Sequence, residues 1–184
     1  MLIGSESMHL SAAESQLRGL VRDVPDFPSP GIVFKDITPL LNSPSAFRLA
    51  VQALCEPFRD RRPQMLAAIE SRGFPFGAAM ALELDCGLAL VRKPGRLPAA
   101  TERVDYDLEY GSDSVEIHRD ALHPAQRVLV VDDLLATGGT ASAAVELVRR
   151  LDAEVLGVAV LIELGFLEGR KRLDGVDVHA VLKY

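Results

Sequence analysis

The residues whose types and spacing are best suited to binding or catalysis lie between positions 128 and 140. Residues 128–131 form an aliphatic run, which is typical of a strand covered on both faces of a parallel sheet. Two adjacent carboxylates, Asp132 and Asp133, follow and could accept hydrogen bonds from the vicinal hydroxyls of a sugar. A glycine-rich turn then leads into a helix, where backbone amides could bind a phosphate. The turn consists of Ala136, Thr137, Gly138, Gly139 and Thr140.

The short spacing between the acids and the turn predicts a ligand whose hydroxyls lie a ribose ring away from its phosphate. A nucleotide-hydrolysing P-loop would need a lysine and a serine or threonine after its glycines, and here Ala141 and Ser142 follow Thr140. The alternative is an ordinary strand, turn and helix with an acidic tip. Two adjacent acids at the end of an apolar strand need a ligand or partner charges, which favours the sugar-phosphate site.

Two further loops place cations after apolar segments, at 65–69 and 87–91. The first loop precedes a predicted helix start, whose unpaired amides would attract a diphosphate. In the second loop, cations would stabilise the negative charge that develops as diphosphate leaves a sugar, and would help to exclude water. The residues concerned are Ser71 and Arg72 in the first loop and Arg92, Lys93 and Arg96 in the second.

The stretch that continues from the second loop, about 94–113, has little apolar periodicity and is predicted to be a mobile flap. It is rich in acids that neither a strand nor a helix would need. One of them could shuttle a proton, and from the residues alone Asp105, Asp107 and Glu109 are equal candidates.

Apolar segments alternate with helical ones, which favours an α/β domain around a mostly parallel sheet with right-handed crossovers. In such sheets ligands bind at the carboxyl ends of strands, so the three loops are expected to converge on one pocket. The predicted strands lie near 65–69, 87–91, 128–131, 155–162 and 176–182, and the predicted helices near 74–84, 139–151 and 166–173.

Size and composition narrow the class of protein. With 184 residues and a net charge of −6, a single domain over 1–184 is expected, and nucleic-acid binding is not. Cys55 and Cys86 have no zinc-ligand or disulfide spacing, which predicts free thiols in a reducing compartment. Residues 1–10 lack a signal-peptide pattern, and no apolar run reaches the roughly 18 residues that a membrane span needs. A cytoplasmic protein without membrane contact is expected.

The run 128–140 resembles the phosphoribosyl diphosphate signature of the phosphoribosyltransferases. The resemblance implies that Asp132 and Asp133 hold the ribose hydroxyls, that the glycine-rich turn wraps the 5-phosphate, and that the two cationic loops bind the diphosphate. The implied fold is type I of this family, a Rossmann-like domain. It has a mostly parallel central sheet flanked by helices, a small N-terminal hood at about 1–40 and a mobile flap at about 94–113.

Within the flap, residues 108–111 read Leu-Glu-Tyr-Gly and resemble the flap motif of those family members that act on adenine. This resemblance implies that Glu109 is the general acid/base at the imidazole edge of the purine. It also implies that Tyr110 helps to close the flap.

Residues 26–37 form a predicted stiff loop that resembles the base-recognising hood of the same proteins. The resemblance implies that backbone groups near Val33 and Lys35 read the amino edge of adenine, while Phe34 stacks on its ring. Lys35 stands where arginine is frequent, which favours its backbone role over its side chain. Arg96 stands where lysine is frequent, which keeps the charge.

Taken together, the resemblance implies a glycosyltransferase of purine salvage that joins adenine to phosphoribosyl diphosphate and forms AMP and diphosphate. It implies a Mg²⁺ cofactor held mainly by substrate oxygens and water, with no direct protein ligand. Whether Asp132 or Asp133 touches the metal through water stays open. A homodimer with small-molecule substrates is expected. The alternatives are an acceptor such as hypoxanthine, xanthine or orotate, and a regulatory relative that senses nucleotide supply and binds nucleic acid.

Overall fold

The computed structural model describes residues 13–108 and 111–184. Its contacts divide the chain into two compact units, Met1–Ala53 and Leu54–Tyr184. The expectation of one domain over 1–184 remains a prediction. Among the described residues, no helix is both long and apolar enough to cross a membrane.

The N-terminal unit contains a hairpin between helices. Its elements are helix α1, described over 13–18, strands β1 (Arg22–Pro25) and β2 (Val33–Asp36), helix α2 (Thr38–Leu41) and helix α3 (Pro44–Cys55), which ends just past the boundary. The strands pair antiparallel, and the Gly31 amide donates a hydrogen bond to Asp26 Oδ1 at 2.8 Å in the connecting turn. The predicted loop over 26–37 is therefore a strand in its second half.

The C-terminal unit consists of β3 (Met65–Ile69), α4 (Gly73–Glu83), β4 (Gly87–Val91), β5 (Thr101–Leu108), β6 (Gly111–His118), β7 (Arg127–Leu135), α5 (Gly139–Arg150), β8 (Glu154–Glu163) and β9 (Val178–Lys183). Five of these strands form a parallel sheet in the spatial order β4-β3-β7-β8-β9. The strand order therefore reverses between β3 and β7. Open α/β sheets bind ligands at such a switch point.

Aliphatic runs explain the sheet and confirm the α/β prediction. Residues 128–131 of β7 and 158–162 of β8 are fully buried, as expected for strands covered on both faces. The predicted helix at 166–173 is different. It consists of short 3-10 helices at Gly165–Leu167 and Gly169–Leu173, because Glu168 between them has a φ of 52°, which a continuous helix does not allow.

The predicted flap, about 94–113, overlaps a regular hairpin that continues to His118. Strands β5 and β6 pair antiparallel from Thr101 opposite His118 to Leu108 opposite Gly111, so Asp105 and Asp107 lie in a strand. This corrects the view that the acidic stretch belongs to no element. The buried hairpin side chains join the same hydrophobic cluster as α5, and they are Val104, Val115 and Ile117. Movement of the hairpin remains a prediction.

Candidate functional site

The paired acids lie on β7 where that strand extends beyond its neighbour β3. Pairing with β3 stops at Val131, whereas pairing with β8 continues to Leu135. One edge of β7 is therefore open beside Asp132 and Asp133, at the switch point of the sheet. The expectation that the strand ends before the acids is wrong, because β7 continues to pair with the long strand β8 beyond Asp132 and Asp133.

Helix α4 begins directly against this open edge. A Cβ atom on Gly73 would lie 2.8 Å from the carbonyl oxygen of Val131 and 3.1 Å from the Cα of Asp132, so only glycine permits the approach. Arg72, just before the helix, forms an ion pair with Asp133, with 3.0 Å between Nε and Oδ2. Ser71 is exposed beside it. The loop after β3 thus reaches the acid pair, as predicted from the sheet topology.

Burial dominates the electrostatics of the acid pair. Asp133 is 3% exposed, and burial raises its pKa although the Arg72 guanidinium opposes the shift. Burial also raises the pKa of Asp132 well above its ordinary value, and the charge of Asp133 adds to the rise. The Asp133 amide donates a hydrogen bond to Asp132 Oδ1 at 2.8 Å. Hydroxyl donors or a cation at the open edge would stabilise the ionised carboxylates, so the site suits a polyol.

The glycine-rich turn after β7 packs closely against the backbone at Gly169. Gly138 has a φ of 83°, and a Cβ atom there would lie 2.3 Å from the carbonyl oxygen of Gly169. Arg170, next to Gly169, forms two hydrogen bonds of 2.6 and 2.8 Å with the carboxylate of Glu163 at the end of β8. The turn therefore has a fixed backbone support. Because α5 begins at Gly139, the unpaired amides of its first turn lie where an anion would bind.

An acid that sequence analysis missed organises the cations after β4. Glu70, directly after β3, accepts hydrogen bonds from Arg92 Nε at 3.1 Å, from Arg92 Nη2 at 3.2 Å and from the Lys93 amide at 3.0 Å. The Arg92 contact is the main reason why the pKa of Glu70 lies below its ordinary value. Arg96 is exposed, and its carbonyl accepts a hydrogen bond from Arg92 Nη1 at 3.0 Å. Its place in the sequence could have revealed Glu70 as a site residue, since it directly follows an apolar strand, as Asp132 follows residues 128–131.

A second group of side chains connects Lys93 to the hairpin and to the glycine-rich turn. The Tyr106 hydroxyl donates a hydrogen bond to Asp113 Oδ2 at 3.0 Å. It accepts hydrogen bonds from Lys93 Nζ at 3.1 Å and from Thr140 Oγ1 at 3.0 Å. Lys93 also forms an ion pair with Asp113. Tyr106 and Asp113 were not predicted as site residues, and only the hairpin register, which places them opposite each other, could have revealed them.

The other predicted residues belong to the N-terminal unit or lie outside the described residues. Val33, Phe34 and Lys35 are on β2 of the N-terminal unit, where the ring of Phe34 meets that of Phe27 edge to face at 5.2 Å. Lys35 Nζ donates a hydrogen bond to Asp23 at 2.7 Å, so its side chain already has a local partner. Two predicted residues, Glu109 and Tyr110, lie outside the described residues.

The structure brings the predicted groups of the C-terminal unit to the carboxyl ends of β3, β4 and β7. Three sets of contacts connect these strand ends: the Arg72–Asp133 ion pair, the hydrogen bonds of Arg92 and Lys93 to Glu70, and the Lys93–Tyr106–Thr140 hydrogen bonds. The arrangement offers carboxylates for hydroxyls, a helix start for one anion, and cations for a second anion.

The chain is similar to known proteins in sequence and in fold. A model of the phosphoribosyl transferase domain matches residues 38–180. The adenine phosphoribosyltransferase of Thermobifida fusca (strain YX) is 53% identical over 161 residues, which cover 88% of this chain and 92% of that protein.

Two solved structures show the similarity of fold. Adenine phosphoribosyltransferase from Rhodothermus marinus DSM 4252 has a TM-score of 0.91 and 51% identity, and the match covers 95% of this chain and 99% of that one. The Saccharomyces cerevisiae adenine phosphoribosyltransferase, complexed with D-2,5-dideoxy-2,5-imino-altritol 1,6-bisphosphate and adenine, has a TM-score of 0.89 and 39% identity. That match covers 94% of this chain and 99% of the yeast chain.

Proposed function

This chain belongs to the adenine phosphoribosyltransferases, and from that premise we propose which of its residues perform the reaction. The enzyme transfers the 5-phosphoribosyl group of phosphoribosyl diphosphate to adenine and forms AMP and diphosphate, a step of purine salvage. The observation that carries the residue assignment is the acid pair Asp132 and Asp133 at an open strand edge, directly before the glycine-rich turn 136–140.

The donor binds along this edge. Asp132 and Asp133 accept hydrogen bonds from the ribose hydroxyls, and the amides of the turn bind the 5-phosphate together with Thr140. The diphosphate binds to Ser71, Arg72, Arg92, Lys93 and Arg96. The yeast relative, which is complexed with a bisphosphate and adenine, supports two anion subsites and a base subsite in this family.

The chemical step breaks the bond between the anomeric carbon and a diphosphate oxygen and forms a bond from that carbon to a nitrogen of adenine. The ribose becomes cationic in a dissociative transition state, and the neighbouring carboxylates stabilise it. The cations after β3 and β4 stabilise the charge on the departing diphosphate. Glu109 accepts the proton that the imidazole edge of adenine loses, and Tyr110 helps the flap to exclude water.

Mg²⁺ is the cofactor that we propose for the donor site, and the acid pair fits it. Mg²⁺ usually keeps several water ligands, from which carboxylate oxygens can accept hydrogen bonds, and the raised pKa of Asp132, caused by burial and by Asp133, is an electrostatic cost that a cation relieves. Asp132 and Asp133 would hold the ion through water. When bound, Mg²⁺ neutralises negative charge on the diphosphate.

The adenine ring is assigned to the hairpin of the N-terminal unit. Phe27, Ile32 and Val33 are about half exposed, at 51%, 47% and 50%, and offer an apolar surface to a flat base. Phe34 stacks on the ring, and backbone groups near Val33 and Lys35 read its amino edge.

The enzyme acts as a homodimer in the cytoplasm. Exposed leucines on α4 and β4 support association, because burial against a second copy would remove their apolar surface from water. They are Leu82, Leu88 and Leu90, with 87%, 37% and 38% exposure.

The cytoplasmic location is supported by the cysteines. Cys55 and Cys86 are free thiols, which is typical of a reducing compartment.

The first test compares acceptor bases. Purified protein, Mg²⁺ and phosphoribosyl diphosphate are mixed separately with adenine, hypoxanthine, guanine, xanthine or orotate, and nucleotide and diphosphate are quantified. AMP formation from adenine is expected to be at least about 100-fold faster than any other product, because a site that pairs with polar groups strongly rejects bases lacking them. Faster turnover of another base would contradict the hairpin assignment. Donor binding without any turnover would favour a regulatory protein.

Replacement of Glu109 by glutamine tests the proton transfer. The kcat is expected to fall by about 100-fold, while the donor Kd stays within about twofold, because the phosphate contacts are unchanged. Steady-state kinetics and calorimetric titration with the donor measure the two quantities. Glu102→Gln is the matched control on β5. Glu102 lies 3.7 Å from Arg119 and 3.6 Å from Arg150, and neither arginine is a proposed site residue, so the kcat should tolerate the change. A wild-type kcat in Glu109→Gln would rule out the acid/base role.

A further inference from the structure

The Tyr106 hydroxyl uses its full hydrogen-bonding capacity within the protein. A phenol has one proton to donate and can accept two hydrogen bonds. The proton goes to Asp113 Oδ2 at 3.0 Å, and the oxygen accepts from Lys93 Nζ at 3.1 Å and from Thr140 Oγ1 at 3.0 Å. Thr140 has only one hydroxyl proton, and the contact with Tyr106 uses it.

Lys93 is held by the same two side chains. Its ammonium forms an ion pair with Asp113 and lies 5.6 Å from the centre of the Tyr106 ring. Burial alone would lower the pKa of Lys93 and raise that of Asp113, but the mutual contact and the Tyr106 hydroxyl reverse both shifts. The two charges therefore stabilise each other.

Asp113 and Tyr106 belong to the same hairpin. They are cross-strand partners in the β5–β6 hairpin, so the hairpin presents them together. The Tyr106 ring also packs on the start of α5, since a Cβ atom on Gly139 would lie 3.0 Å from its Cδ2. The hairpin thus contacts the turn at Thr140 and the cationic loop at Lys93.

We propose that Asp113 and Tyr106 compete with the donor for Lys93 and Thr140, so that phosphoribosyl diphosphate displaces the hairpin contacts as it binds. The inference rests on the proposed function, which takes Lys93 as a diphosphate ligand and Thr140 as a 5-phosphate ligand. A diphosphate oxygen replaces the Asp113 carboxylate at Lys93. A 5-phosphate oxygen replaces the Tyr106 oxygen at Thr140. The hairpin regains both contacts when the anions leave, which favours product release.

A competing role and a purely structural role of Asp113 predict opposite changes in anion affinity when Asp113 is replaced. If Asp113 only stabilised the fold or positioned Lys93 for the donor, its removal would weaken anion binding. If it competes, its removal strengthens anion binding. Asp113→Asn is the suitable change, because asparagine keeps the size and an oxygen acceptor for Tyr106 but removes the charge that attracts Lys93.

The test is calorimetric titration of the full-length variants with Mg²⁺ present. Asp113→Asn is expected to lower the Kd of diphosphate by about fivefold, the upper range for a partly exposed ion pair. Tyr106→Phe keeps the ring and frees Thr140, so it is expected to lower the Kd of ribose 5-phosphate by about threefold, in line with one net hydrogen bond. Asp105→Asn is the control for charge, because Asp105 is on the same hairpin, 68% exposed and paired with Arg103 at 2.8 Å.

Unchanged or weaker binding in either Asp113→Asn or Tyr106→Phe overturns the proposal. Equal strengthening by Asp105→Asn also overturns it, because the effect would then come from the overall charge of the hairpin. Failure of the proposed function looks different, since the wild-type protein would then bind neither diphosphate nor phosphoribosyl diphosphate and form no AMP. A wild-type protein that forms AMP, with no strengthening in the variants, refutes the competition alone.

Discussion

With Asp132 and Asp133 both replaced by asparagine, kcat/KM for phosphoribosyl diphosphate is expected to fall by about 1,000-fold. Hydrogen bonds to charged groups contribute about 1.5–3 kcal/mol each, and the loss of two such contacts at roughly 2 kcal/mol each corresponds to this factor. In the proposed donor site, the variant also lacks the negative charge beside the ribose as the ribose becomes cationic. Steady-state kinetics with adenine held constant and the donor varied measures the loss.

Unfolding measurements separate this loss from a loss of structure. The pKa of Asp132 lies well above its ordinary value of 3.8 because of burial and the neighbouring Asp133, so the folded state binds the proton more tightly than the unfolded state. As pH rises above 3.8, Asp132 ionises in the unfolded state while the folded state still holds the proton, so the wild-type fold loses stability. Asp132→Asn alone is expected to raise the Tm at pH 7, and the gain should vanish as pH falls to about 4. An inactive but more stable variant points to a functional role.

An exposed acid provides the control for the double variant. Asp120→Asn, in the turn after β6, changes the charge outside the site and should keep wild-type kcat/KM. Wild-type donor binding and turnover in the Asp132→Asn/Asp133→Asn variant would remove the sugar-binding assignment. A fall in activity that follows a fall in Tm would assign the two acids a role in folding instead.

The sheet and its acid pair were predictable because their signals are local. A strand covered on both faces must be apolar throughout, so residues 128–131 and 155–162 identify β7 and β8 without knowledge of their neighbours. The adjacent acids and the glycine-rich turn follow within the same short segment. The end of β7 was misplaced because it depends on pairing with β8, which is a long-range property.

The contacts between segments could not be predicted for the same reason. Glu70 meets Arg92 only because β3 and β4 are neighbours in the sheet. Tyr106 meets Asp113 only because of the hairpin register, and β5 was not recognised since Arg103 and Asp105 face solvent and the strand carries acids. A partly exposed strand of this kind has no apolar run, and its alternation of apolar and polar residues is weak.

Gly138→Ala is expected to destabilise the protein by roughly 3 kcal/mol and to lower kcat/KM for the donor by about 100-fold. Alanine at a φ of 83° costs about 1–2 kcal/mol by itself. The remainder comes from the Cβ atom, which would lie 2.3 Å from the carbonyl oxygen of Gly169, a backbone atom held by the Arg170–Glu163 pair. The turn must therefore move, and its amides move with it. Urea unfolding and titration with ribose 5-phosphate measure the two effects.

Gly175→Ala separates the two causes. Gly175 has a φ of 72° but nothing within 4 Å of its Cβ position, so alanine there has the backbone cost without the collision. It should destabilise by about 1 kcal/mol and leave the Kd of ribose 5-phosphate unchanged. The difference between the variants then measures how firmly Gly169 supports the turn. Equal destabilisation by both changes, with wild-type ribose 5-phosphate binding in Gly138→Ala, would show that the turn adapts to the new side chain. The 5-phosphate site would then not depend on the contact between Gly138 and Gly169.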